Sequence, residues 1–371
     1  MSKRSAPAGP SPSIARRLDA CREKIQQKGV SGYLVTNRVD QFYLTGFNGE
    51  DGAALILPER VYLLTDGRFQ EEAAHQAPWA KAVVRRGHLH ESLEKVVRRH
   101  RMKTMGFQPS WLTVESHAKF RKALRPTRLV AMPPVPGELR QSKDQAEVAV
   151  IERAIRVAED AFQAVIGRIR IGMTEHELAA ALQHEMIRRG ASGPSFPVIV
   201  AEGPNSSLPH AQPGHRRIRE GSAILIDWGA TVDHYRSDLT RVVFVRRIPP
   251  RFRRMYENVL TAQAAAIGAI RPGVRMCDVD AAARKSLKRA GMDRQFTHGT
   301  GHGLGLDIHE PPRLGLKVTE TLRPGMVVTV EPGVYFPGIG GVRIEDDVLV
   351  TETGCRVLTR LPKDLAAMVI R

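Results

Sequence analysis

Asp227 closes the apolar run 223–226, and Asp238 follows eleven residues later, just ahead of the strand-like run 242–245. Gly229, Asp233 and His234 lie between them and suit a turn, so the spacing predicts a hairpin across which the two aspartates face each other. The device recurs farther on: Glu331 ends the run 326–330, Gly338 to Gly341 supply a turn, and Glu345 follows in Val342-Arg-Ile-Glu345. A carboxylate set in such apolar surroundings is costly unless it is hydrogen-bonded, paired with a cation or bound to a metal. One alone would read as a strand end at the surface. Four in a doubled pattern point to a shared cation site.

Histidines decide what those carboxylates hold. The loop Thr297-His-Gly-Thr-Gly-His-Gly-Leu-Gly-Leu-Asp-Ile-His-Glu310 places His298, His302 and His309 within twelve residues. His298 and His302 are four apart, the spacing of a helical zinc site, but Gly299, Gly301, Gly303 and Gly305 argue against a helix there. The glycines are expected to let the backbone approach an ion or a substrate, and no phosphate-loop pattern follows a strand. Three clustered histidines favour metal binding or proton transfer over three satisfied core groups. One histidine with four carboxylates is a hard, oxygen-rich set suited to Mn²⁺, Co²⁺ or Fe²⁺, with Zn²⁺ an alternative. Four negative charges balance two divalent ions, which in two-metal hydrolases stand roughly 3.5 to 4 Å apart. The chemistry implied is hydrolysis by an activated water.

The elements that must position this set show a repeat. At an offset of 101 residues Gly167, Arg170, Gly172 and Gly190 match Gly268, Arg271, Gly273 and Gly291, framing two Ala-rich helical stretches, 175–189 and 278–290. A second echo follows, Gly221 with Asp227 and Gly325 with Glu331, so two similar halves form one domain with strands meeting at a shared centre. A long helix opens it: Ser142 and Gln145 form a capping signature, and Val148, Ile151, Ile155, Ala158, Phe162 and Val165 line one face. Before it, Met132-Pro-Pro-Val-Pro-Gly137 is the best domain boundary. Upstream, Ile14, Leu18, Cys21 and Ile25 mark a helix ended by Gly29 and Gly32, and the runs 53–57 and 61–64 read as a hairpin. The expected organisation is a disordered tail over 1–12, an α/β domain over 13–137 and an α+β catalytic domain over 138–371.

Composition excludes several classes. With 371 residues and 42% hydrophobic content, the chain can bury two cores without staples, and Cys21, Cys277 and Cys355 have neither disulfide-framework nor zinc spacing. No run approaches the roughly 18 apolar residues of a membrane span, and no signal-like apolar region follows the N-terminus, so a cytoplasmic protein is expected. The net charge of +17 raises nucleic acid as a partner. Its arginines, however, are scattered, and the runs 98–101 and 241–254 lack interleaved aromatic platforms, so a solvated basic face is expected.

The second domain resembles the Xaa-Pro aminopeptidase and prolidase family of metallopeptidases. The likeness rests on Asn205-Ser-Ser-Leu-Pro-His210, Asp227-Trp-Gly-Ala230, Tyr235-Arg-Ser-Asp-Leu-Thr-Arg241, the His298 to Glu310 loop, Glu331-Pro-Gly333 and Gly341-Val-Arg-Ile-Glu-Asp346, all in family order. The first domain is similar to the family's creatinase-like N-terminal domain through Phe42-Tyr-Leu-Thr-Gly-Phe47 and Leu64-Thr-Asp-Gly-Arg68. This resemblance implies a pita-bread catalytic fold with two pseudo-symmetric halves and a homodimer. It implies metal ligands Asp227, Asp238, His302, Glu331 and Glu345, with Asp238 and Glu345 bridging two divalent ions, Mn²⁺ first. It gives His210, His298 and His309 substrate-binding and proton-shuttling roles, makes Glu331 a general base, and matches Arg343 to an arginine of proline-specific members. The implied substrate is a peptide with proline second. The alternatives are a methionine aminopeptidase-like enzyme and a non-catalytic binding protein on the same scaffold.

Overall fold

Ser11 accepts the Ile14 amide through its hydroxyl, and with Pro12 in the first turn this starts the helix Pro12–Gln27, which buries Leu18, Cys21 and Ile25. The structure, a computed structural model, describes residues 9–370, so most of the tail expected over 1–12 lies outside the described residues, while Pro12 itself is helical. Gly29, at φ 63°, lets the chain reverse into the buried strand Tyr33–Val35. The strands Ala53–Ile56 and Val61–Asp66 form the expected antiparallel hairpin, Ala53 opposite Leu64. They belong to a six-stranded sheet in the order 81–85, 61–66, 53–56, 33–35, 104–107, 128–131. Its outer pairings are parallel. Leu34, Leu55, Leu64, Leu93, Val97 and Phe120 fill the core of this unit.

The chain divides into two compact units between Arg140 and Gln141. The breaker-rich segment 132–137 leads into a short helix, Val135–Leu139, that still belongs to the first unit. The second unit opens with the long helix Gln145–Ile166, but its cap is Asp144 with Glu147, not Ser142 with Gln145. Ser142 is occupied instead in a main-chain bridge to Met326, which delays the helix by two residues.

The repeat is physical. Gly172 and Gly273 have φ of 92° and 82°, Gly190 and Gly291 98° and 70°, and Gly221 and Gly325 75° and 83°. Each of these three pairs occupies the left-handed region, where a Cβ is strained, and this is why both halves keep glycine there, whereas Gly167, matched with Gly268, is helical at φ −71°. The matched helices Glu175–Arg188 and Met276–Arg289 have the same length. Ahead of each, the glycine amide donates to a partner in its own half, Gly172 to Ile218 and Gly273 to Leu322, both at 2.9 Å.

Each half contributes a sheet. The first orders the strands 369–370, 239–245, 223–228 and 199–202, and the second 310–314, 301–303, 327–330, 346–350 and 355–357. Ile224, Ile226, Val242, Phe244, Val328, Val330 and Val348 lie within a single core cluster. Trp228 stacks on Phe162 at 4.5 Å and donates its indole N–H to the Ala158 carbonyl, seating the long helix on the first sheet. Fully buried Arg241 ties the halves together: it donates to the carbonyls of Thr240 and Glu345, to Asp346, and to the carbonyls of Leu361 and Pro362. No helix among the described residues is long and apolar enough to cross a membrane.

Candidate metal centre

The four carboxylates arrive at one place because each half interrupts its central ladder in the same way. Asp227 sits in the strand Ala223–Trp228, and Asp238 immediately precedes the strand Leu239–Val245. They do not face each other across a simple hairpin: the register pairs Asp227 with Thr240. Between them the chain leaves the sheet as a small separate ladder, Ala230–Val232 with Tyr235–Arg236. Gly229 closes the neck of this excursion, where a Cβ would stand 1.8 Å from the Ser237 carbonyl oxygen. In the second half Glu331 follows the strand Val327–Val330, Glu345 precedes Asp346–Val350, and Gly333–Phe336 with Gly340–Arg343 forms the matching excursion.

His302 enters on the strand Gly301–Gly303, so the loop is extended, as its glycines required. Three of those glycines, Gly299, Gly301 and Gly303, face backbone, however, and Gly305 faces the Glu310 and Lys143 side chains, so none is needed for an ion or substrate. A Cβ on Gly301 would meet the Thr329 carbonyl oxygen at 1.9 Å, on Gly303 the Pro311 oxygen at 2.6 Å, and on Gly299 the Leu314 oxygen at 2.8 Å. They bring His302 onto the carboxylates by letting neighbouring strands approach closely.

Asp238, His302 and Glu345 each offer a ligand atom within 4.8 Å of the others. Glu331 flanks them: His302 Nε2 lies 3.5 Å from Asp238 Oδ2 and 3.5 Å from Glu331 Oε1. His302 Nδ1 is 3.1 Å from the Gly303 carbonyl, which can only accept, so the proton sits on Nδ1 and the Nε2 lone pair faces the carboxylates. Burial first, and then His309, push His302 down to about 4, so the ring is neutral. A bare lone pair aimed at two carboxylates is repulsive unless a cation or a proton lies between them.

The remaining oxygens make the same point. Glu345 Oε2 accepts the Thr240 hydroxyl at 2.6 Å, and Asp227 Oδ2 accepts Arg343 Nη2 at 2.5 Å. Asp227 Oδ1 and Glu345 Oε1 are buried with no hydrogen-bond partner. Such orphaned oxygens cost folding free energy unless something positive occupies the space beside them. The donor set therefore fits divalent cations.

Burial raises all four acids. Asp238 and Glu345 go well above the usual carboxylate range, through desolvation and then through the neighbouring acids. Glu331 is pushed up to about 8 by burial, against the opposing Arg343. Asp227 is raised by burial and held back by Arg343. The sign of the consequence is fixed: stability held by protonated carboxylates is present at low pH and is lost as pH rises through the raised values. The melting temperature of chelator-treated protein should therefore fall from pH 5 to 9, and the increment given by Mn²⁺ should widen over the same range. Calorimetric titration in two buffers should show proton release on metal uptake. A metal increment that shrinks as pH rises would contradict this assignment.

Hydrogen bonds from Arg343 and Tyr335 join the site to its histidines. Arg343 donates to Asp227, to the Tyr335 hydroxyl at 2.9 Å, to Thr240 Oγ1 at 3.1 Å and to the Pro209 carbonyl at 3.3 Å. Tyr335 in turn stands 2.9 Å from His298 Nε2, and His298 Nδ1 lies 2.8 Å from the Gly299 carbonyl. Burial and then Arg343 lower His298 to about 4, so it is a neutral acceptor locked to Tyr335. His210 and His309 are exposed. His309 meets His302 edge-on with centroids 4.4 Å apart, and the Arg343 contact to Pro209 holds the carbonyl just ahead of His210. Sequence reasoning missed Thr240 and Tyr335. Period-two spacing could have found them, because Thr240 is two residues from Asp238 and Tyr335 four from Glu331 along extended chain.

Comparison with known proteins agrees with this geometry. Residues 149–352 match the model of metallopeptidase family M24, and residues 17–142 match the Creatinase/Prolidase N-terminal domain. An Xaa-Pro dipeptidase of Pyrococcus furiosus is 32% identical over 95% of this chain and 100% of its own length. The solved structure of an Xaa-Pro dipeptidase from Bacillus anthracis aligns with a TM-score of 0.92 at 34% identity, covering 96% of this chain and all of that one. An X-Pro aminopeptidase from Thermotoga maritima aligns at 0.88 and 32% identity, covering 94% and 100%. The second unit has the pita-bread fold that the family resemblance implied. The chain thus belongs to metallopeptidase family M24, as a metal-dependent hydrolase with a Creatinase/Prolidase N-terminal domain.

Proposed function

We propose that the protein hydrolyses the bond between an N-terminal residue and a following proline, using two divalent ions, Mn²⁺ first, held by Asp227, Asp238, His302, Glu331 and Glu345. Asp238 and Glu345 would serve both ions. The observation that carries the reading is the trio of buried Asp238, half-buried His302 and buried Glu345 in a chain that aligns end to end with Xaa-Pro dipeptidases. The proposal extends to a homodimer working in the cytoplasm.

Divalent ions held at this centre would supply Lewis acidity toward the scissile carbonyl and would acidify water toward neutral pH. The protein's own groups do the rest. Glu331, whose Oε1 receives the Thr329 hydroxyl at 3.3 Å, accepts the proton of the attacking water as general base. His309 and His210, exposed above the buried acids, donate hydrogen bonds to the carbonyl oxygen as negative charge develops on it. Arg343 keeps Asp227 and the His210 segment in register through its four contacts. An Xaa-Pro bond has no N–H, so recognition rests on the ring's shape and on the free amino terminus.

The test compares kcat/KM for Xaa-Pro dipeptides, Xaa-Pro-Yaa peptides and their alanine counterparts, with Mn²⁺, Co²⁺ and Zn²⁺ supplied separately. The expected result is cleavage of the proline substrates with little of the alanine ones. Relatives of both dipeptidase and aminopeptidase type align equally fully, so the length preference is read from the same experiment. Faster release of methionine from Met-Ala than from Met-Pro would replace this reading with a methionine aminopeptidase. No cleavage with any metal would favour a binding protein.

A further inference from the structure

Lys143 and Glu310 form an ion pair of 2.7 Å whose side chains are 1% and 4% exposed, and the mechanism above uses neither. Lys143 is not held there by its charge alone. Its amide donates to the Gly325 carbonyl at 2.8 Å, beside the bridge between Ser142 and Met326, so the segment leading into the long helix is pinned to the second half. Glu310 begins the strand Glu310–Leu314 and is the residue directly after His309. Its second oxygen accepts the Asp307 amide at 3.4 Å, and the Gly305 amide reaches the Asp307 carbonyl at 3.1 Å. A Cβ on Gly305 would stand 2.7 Å from Glu310 Oε1 and 3.1 Å from Lys143 Cε, so the turn is packed onto the ion pair. From the other side Arg236 closes the same turn, its amide on the Gly305 carbonyl at 2.9 Å and its Nε on that of Leu306 at 3.2 Å.

Buried ion pairs add little net stability over apolar groups of equal volume, because desolvation offsets most of the attraction. What this pair supplies is a fixed position. The exposed imidazole of His309 is thereby carried on a turn whose base is locked on both flanks. We propose that the Lys143–Glu310 pair is a positioning device for His309, setting the 305–310 turn so that the imidazole stays in reach of the metal centre. Lys143 and Glu310 are positioning residues, and the proposal rests on the role given to His309 under the proposed function.

The experiment uses the full chain, metal-loaded, with Lys143→Met, Glu310→Leu and their combination. Each single variant should lose thermal stability and rate, since one charge is left buried alone. The double variant should recover most of the melting temperature, bind metal as fully as the parent and keep KM within about twofold. Its kcat should nevertheless stay roughly tenfold down, the scale of a small misplacement of a reacting group. The ¹³C-histidine resonance of His309, read in the diamagnetic Zn²⁺-loaded protein and assigned with His309→Ala, should shift in the double variant. Recovery of kcat together with the melting temperature, or an unmoved His309 resonance, overturns the proposal. Lys143→Arg covers the case in which the double variant fails to fold. It keeps the charge on a longer fork, and should lower kcat several-fold and move the same resonance, whereas no change in either overturns the idea. Because the resonance needs no substrate, it judges the clamp even if the parent proves inactive on Xaa-Pro peptides.

Discussion

Replacing Glu345 or Asp238 with alanine should leave a folded protein that holds fewer divalent ions and turns over at least about 10²- to 10³-fold more slowly, the scale of removing a principal stabiliser of developing charge. Both residues belong to the trio whose ligand atoms lie within 4.8 Å of one another, and the loss of either therefore affects every ion bound there. The metal-free protein should respond in the opposite sense. Glu345 carries a buried oxygen with no partner and is forced well above its ordinary range by desolvation. Glu345→Gln keeps the volume and removes the cost of a buried charge, so its chelated form should melt no lower than the chelated parent at pH 8 while its Mn²⁺-loaded form melts lower. Metal analysis after dialysis, with melting curves in chelator and in Mn²⁺, checks both halves. Full metal and full rate in both alanine variants would remove the dinuclear assignment.

Substitution of His309 or His210 by alanine should lower kcat by roughly 10²-fold and leave metal content unchanged, the usual scale for a positioned acid-base or oxyanion group. Their exposure separates them from His302, which is tucked against Asp238 and Glu331. His309 is also lowered from its ordinary value, by partial desolvation of its ring and then by Arg313 and His210, which favours the neutral donor over an imidazolium at pH 7. Its rate contribution should accordingly be flat from pH 7 upward. Parallel loss of metal and rate in either variant would mean that the residue is a ligand. His298 should behave differently from both: with Nε2 on Tyr335, its removal disturbs the Arg343 network, and the effect should be reproduced in part by Tyr335→Phe.

The residues show where the sequence was readable and where it was not. Glycines at Gly172, Gly190 and Gly221, repeated at Gly273, Gly291 and Gly325, were visible because a left-handed backbone admits almost nothing else, a local requirement written at one position. The carboxylates at the strand ends were visible for a similar reason, since an acid beside an apolar run contradicts its surroundings wherever the run packs. The hairpin register was not visible. Asp227 pairs with Thr240 because the chain detours through a separate ladder at Gly229 and Ser237, and only the close backbone approach there reveals it. The helix cap moved from Ser142 to Asp144 because Ser142 pairs with Met326, far away in sequence.

By itself, then, the sequence determined the doubled halves, the extended histidine loop, the candidate ligand set and the hydrolytic chemistry that set could perform. The carboxylates and glycines are properties of residue type and short spacing, the doubling shows as a repeat at an offset of 101 residues, and the choice of His302 among the loop histidines rested on the family resemblance. Tertiary structure alone decided that the loop glycines serve strand contact, that His302 turns a bare Nε2 to the acids, that Tyr335 and Thr240 join Arg343, and that Lys143 meets Glu310. These contacts span up to 167 residues of sequence. No local propensity encodes them, because which distant groups meet is set by how the two halves close on each other, and the free energy of that closure is shared across the whole core.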